Sequence, residues 1–126
     1  MKIKLFPFLA HWPLEASVSG DVITINGEDI DLSGILDGFR LPGSAVDNKF
    51  FVETEYVERI GKTLQFTLRL PVHWDSPEEY RNPAGPIIVD ARSGLVKLPN
   101  TSPVVVPVTE LPYIREGKEN GGLEQA

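Results

Sequence analysis

The chain has 126 residues, no cysteine, and eighteen acidic against twelve basic residues, a net charge of −6. That length suits one domain with a real core, and the lack of cysteine excludes a disulfide framework, a thiolate metal site and a cysteine nucleophile. The acidic balance has the wrong sign for binding by phosphate neutralisation, which argues against nucleic acid and an anionic membrane as partners; no apolar run approaches the roughly 20 residues that span a bilayer.

Lys2 to Phe8 alternates as a first strand, with Ile3 and Leu5 opposite Lys2 and Lys4 and with Pro7 at its end or on a sheet edge. Pro7, His11, Trp12 and Pro13 break the apolar opening before it reaches secretory length, so it reads as part of a cytosolically made protein. Ala16 to Ile25 and Glu28 to Leu32 flank Asn26-Gly27, a pair that tolerates positive φ and suits a two-residue hairpin turn. Val22, Ile23 and Ile25 are all apolar, which predicts a strand buried on both faces. Ser33 to Val46 is turn-rich and reads as a connection packing Ile35, Leu36, Phe39 and Leu41 onto the core.

Phe50 to Ile60 alternates imperfectly, Gly61-Lys62 offers a reversal, and Thr63 to Leu70 is the cleanest alternation in the chain. Its inward face is Leu64, Phe66, Leu68 and Leu70, opposite Thr63, Gln65, Thr67 and Arg69. This second hairpin is the expected structural centre. Pro71 to Pro86 is a polar connection in which Ser76, Pro77 and the acids that follow suit one turn of helix. Ile87-Ile88-Val89 and Leu95 to Leu98 read as strands of a further hairpin around Asp90 to Gly94. Pro103 and Pro107 confine Val104-Val105-Val106 to an edge or to extended coil. From Arg115 onward the composition predicts disorder.

The fold class expected is therefore mainly β: a single small antiparallel β-domain over 1–114, with long irregular connections and a flexible tail over 115–126. Short alternating strands serve a two-sheet sandwich and a barrel equally.

The chemical inventory is short. His11-Trp12 and His73-Trp74 invite a joint ligand or metal site, against the alternative that each ring sits at a surface rim with its Trp on the core. Asp21, Glu28, Asp29, Asp31 and Asp37 surround the first hairpin but lack calcium-loop spacing, and read as a solvated tip. Asp75, Glu78 and Glu79 are an acid–base set only if a cleft gathers them. No Ser lies in a nucleophile elbow and no glycines in a phosphate loop. These absences argue against an enzyme and point to no cofactor or metal. The stretch from His73 and Trp74 to Tyr80 and Arg81, with Trp12, is the candidate contact surface, because Trp, Tyr and Arg supply much of the energy at interfaces. Its alternative is a loop anchored to its own domain by Trp74 and Tyr80.

Met1 to Leu5, Ser17 to Gly27, Leu41-Pro42, and Leu64 to Pro71 followed by Arg81-Asn82-Pro83 resemble, in that order, small uncharacterised proteins of tailed-phage and prophage genomes. The resemblance spans roughly positions 1 to 99 and carries over no catalytic residue. It implies a phage or prophage accessory or structural protein, encoded near tail or virion-assembly genes. Such a protein works through contacts with a phage structural or assembly component, or with a second copy in a homo-oligomer, in the host cytoplasm or the virion. The alternative is a small ligand- or carbohydrate-binding β module that uses Trp12, Trp74 and Tyr80 as stacking surfaces.

Overall fold

A computed structural model describes residues 1–103 and is mainly β. Strand β1 (Lys2–Leu9) alternates as its sequence predicts, burying Ile3 and Leu5 and exposing Lys2 and Lys4. Met1 and Ala91 exchange hydrogen bonds, at 2.6 Å from the terminal ammonium and 2.8 Å from the Ala91 N–H. By alternation, the backbone groups of Ile3, Leu5 and Pro7 face the same neighbour. That neighbour, β8 (Ile87–Asp90), stops pairing at Leu5. Pro7 thus lies where β1 has become an edge on that side, and its missing N–H costs no ladder bond.

Strands β2 (Ala16–Ser19), β3 (Val22–Ile25) and β4 (Glu28–Asp31) form a three-stranded meander. Asn26 and Gly27 adopt φ of 50° and 85°, the left-handed pair that the first hairpin needs. The span from Ala16 to Ile25 is broken by a second turn at Gly20-Asp21 instead of running as one arm. Only one face of β3 is closed off: Ile23 and Ile25 are buried, while Val22 and Thr24 are half-buried.

The connection after β4 buries Ile35 and partly buries Leu41, but Leu36 and Phe39 are 61% and 63% exposed. The Gly38 N–H donates to Arg59 O and the Arg59 N–H to Phe39 O, which ties this turn to the sheet rim. Strand β5 (Arg40–Pro42) follows and pairs with β6 (Tyr56–Ile60). A 3-10 turn over Gly43–Val46 comes next; a Cβ on Gly43 would meet Val52 O at 2.2 Å, so only glycine fits. Phe51 contributes an isolated bridge to Leu68, and residues 53–55 turn, so the strand expected from Phe50 begins at Tyr56.

The hairpin of β6 with β7 (Thr63–Val72) reverses at Gly61-Lys62, and Leu64, Phe66, Leu68 and Leu70 are all buried. Each such side chain contributes on the order of 1.5–3 kcal/mol before conformational entropy is subtracted. A single helical turn, α1 (Glu78–Arg81), follows Ser76-Pro77 as expected.

Five strands in the order β5-β6-β7-β1-β8 make one sheet; β4-β3-β2 and the short β9 (Gly94–Leu95) make the other. Among the described residues all strand pairs are antiparallel except β1 with β7. The Asp90 to Gly94 segment is not a hairpin turn: β8 pairs with β1, whereas β9 pairs with β2 in the other sheet. Buried Ala91 is tied to Met1, and Gly94 at φ 80° turns the chain across. Among the described residues the sheets share no strand and contribute to one hydrophobic cluster, a sandwich that is not closed into a barrel. Val104-Val105-Val106, the rest of the span to 114 and the tail over 115–126 lie outside the described residues. Among the described residues, no helix is long and apolar enough to cross a membrane.

Candidate functional site

The outward phase of β1 changes character along its length: Lys2 and Lys4 are followed by Phe6 and Phe8. Leu9, at the end of the strand, is 69% exposed. Past it the chain turns so that Trp12 meets Phe8 and Phe50 edge-on, with ring centroids 5.2 and 5.8 Å apart. Lys49 Nζ stands 4.0 Å from the Trp12 ring centroid, and the Arg69 guanidinium is 5.9 Å from that of Phe8. Cations so placed over exposed rings contribute about 0.5–1 kcal/mol each. Arg69 Nη1 also donates to Lys49 O at 2.9 Å and Phe51 O at 2.8 Å, while Nη2 pairs with Glu53. The hydrogen bond from Arg69, aided by a backbone bond and the guanidinium charge, holds the Glu53 carboxyl below its ordinary value.

The connection after β7 is organised by Ser76, whose side chain is the hub of a buried polar network. Its Oγ accepts from the His73 N–H at 2.8 Å and donates to Thr101 O; its carbonyl accepts from Arg81 Nε at 2.6 Å. Thr101 Oγ1 donates in turn to Pro71 O at 3.1 Å. The turn this network fixes carries Trp74 at its tip, 78% exposed. Tyr80 is half-buried and packs against the core, so it is the residue that anchors the loop. Trp74 is no anchor.

The five residues singled out from the sequence therefore separate. Trp74 and Arg81 line a shallow cleft of about 320 Å3 with Pro7, Phe8, Leu9 and Val72. His73 faces His11 with ring centroids 5.0 Å apart, in a second cleft of about 310 Å3 that also takes in Trp12, Leu70 and Pro71. Phe8 joins the two through its contact with Trp12. Tyr80 lines neither. The His-Trp dipeptides thus bring their imidazoles together but send their indoles to different clefts. Two imidazoles fall short of the three or four ligands of a zinc site. Among the described residues, no group of three or more His, Asp or Glu is placed to hold a metal ion.

The residues that sequence reasoning missed are Phe6, Phe8, Leu9, Lys49 and Arg69. The signal for Phe6 and Phe8 was present, since they continue the phase begun by Lys2 and Lys4. Lys49 and Arg69 carry no such mark. The acids of the first hairpin are engaged separately: Asp29 accepts from Thr24 Oγ1, Asp31 from the Ser33 N–H, Asp37 from the Gly61 N–H, and Asp21 pairs with Arg59. Asp75, Glu78 and Glu79 line neither cleft.

Compared with protein-family models, curated proteins and solved structures, the chain matches none.

Proposed function

We propose that this protein is a non-enzymatic accessory or structural component that works by protein–protein contact through the Trp74–Arg81–Leu9 end of the five-stranded sheet. One observation carries the reading: Trp74 and Leu9 are 78% and 69% exposed and line one cleft with Phe8 and Arg81. An apolar patch with a Trp and an Arg has the composition of an interface centre. The likeness of residues 1–99 to tailed-phage and prophage proteins extends the proposal to the partner, a tail or virion-assembly component met in the host cytoplasm or the particle.

The test is affinity capture of tagged full-length protein from a phage-producing host, beside a Trp74→Ala/Leu9→Ser double variant. Recovery of a virion or assembly component by the wild type and not by the variant supports the reading. Recovery of no such component by either contradicts it.

The alternative, a carbohydrate-binding β module, draws on the open indole face of Trp74. It has less support, because Lys49 stands over Trp12 and Tyr80 packs on the core, so the three rings offer no common platform. Glycan-array binding that Trp74→Ala abolishes would favour it.

A further inference from the structure

The open side of the sandwich between β4 and the Gly43–Val46 turn holds a groove of about 450 Å3. Ile30, Ile35, Leu41 and Val46 line it, and Glu28, Asp29 and Asp31 stand along its β4 side. Among the described residues β4 is an edge strand. The two-residue turn makes Ile25 and Glu28 a mutually hydrogen-bonded pair. The Leu32 N–H donates to Asp21 O at 2.9 Å, in the same phase. The backbone groups of Glu28, Ile30 and Leu32 accordingly turn to β3, and those of Asp29 and Asp31 turn outward. Such an edge is a template for one more strand.

Side-chain phase defines what that strand must be. Ile30 is buried, whereas Asp29 and Asp31 are exposed. Both acids are held in place, Asp29 by Thr24 Oγ1 at 2.6 Å and Asp31 by the Ser33 N–H at 2.9 Å. The bonds from the Ser33 side chain and backbone lower the Asp31 carboxyl from its ordinary value. An added strand sets alternate side chains beside Ile30 over the groove and the others beside the two carboxylates.

We propose that this edge binds an extended segment of a partner protein that alternates Lys or Arg with apolar residues, adding as a fifth strand beside β4. A second copy of β4 is disfavoured as the occupant, because it would set Asp against Asp across the new pair. The residues involved are distinct from those of the aromatic end, so the two proposals stand or fall separately.

The probe is a peptide of about six residues alternating Lys and Val, titrated into full-length isotopically labelled protein and followed by backbone amide shifts. Its controls are a peptide with the same residues in two blocks and a Glu-Val alternation. The expected result is saturable binding of the Lys-Val alternation alone, with shifts centred on Asp29, Asp31 and Val46. Asp29→Asn/Asp31→Asn should weaken it roughly tenfold at low salt, as loss of two exposed ion pairs predicts. Asp29→Pro, which deletes an outward N–H and no ladder bond, should abolish it while the β3–β4 cross-strand contacts persist. Equal binding of the block peptide, saturable shifts elsewhere on the molecule, or no binding would each overturn the proposal. So would self-association that the Asn variants enhance.

Discussion

Ser76 and Gly43 are positions where a single atom decides local structure. Ser76 is 2% exposed, and its hydroxyl satisfies a backbone donor at His73 and a backbone acceptor at Thr101. Ser76→Ala leaves both groups without their partner, so it should cost about 1–3 kcal/mol in denaturant unfolding. Gly43→Ala would drive a Cβ to 2.2 Å from Val52 O and should cost about 1–3 kcal/mol or more by the same measurement. Glu53 gives a pH prediction. Its carboxyl is depressed by Arg69, so its contribution is fully present above the unfolded-state value and is lost as pH falls through the folded one. Titration followed by carboxyl NMR shifts should show a lowered midpoint for Glu53, returned toward the ordinary value by Arg69→Met.

Among the elements, the β6–β7 hairpin was legible because strict alternation and a Gly-Lys reversal act locally, and Leu64 to Leu70 need no distant information to choose a face. The Asn26-Gly27 turn was legible for the same reason. Asp90 to Gly94 was not: a glycine-containing link between two β-like runs fits a hairpin and a crossing between sheets equally well, and the difference lies in pairings distant in sequence, β8 with β1 and β9 with β2. Leu36 and Phe39 lie in a turn without a period, so their exposure left no trace in the pattern. At the candidate site, Trp74 and Arg81 were legible by residue type and Phe8 by the phase it shares with Lys2 and Lys4, whereas the exposure of Leu9, on the phase of buried Ile3 and Leu5, required knowing that β1 outlasts β8. Truncating buried and exposed apolar residues should then have very different costs. Leu68→Ala, at a fully buried position, should cost about 2–5 kcal/mol. Trp74→Ala and Leu9→Ser should stay within about 0.5 kcal/mol of wild type in the same unfolding experiment.

At the scale of the whole fold, the sandwich, unclosed among the described residues, presents two kinds of surface. One is the aromatic end of the five-stranded sheet, built where β1 runs on past β8; the other is the acid-rimmed edge at β4. The first is the surface through which the protein is proposed to act by contact. The most direct measurement is hydroxyl-radical footprinting of Trp74 and Leu9 in the free protein and in assemblies purified from a phage-producing host. Oxidation of both should fall several-fold in the assembly while that of exposed Leu36 and Phe39 does not. Unchanged oxidation of Trp74 and Leu9 in an assembly that contains the protein would contradict that role.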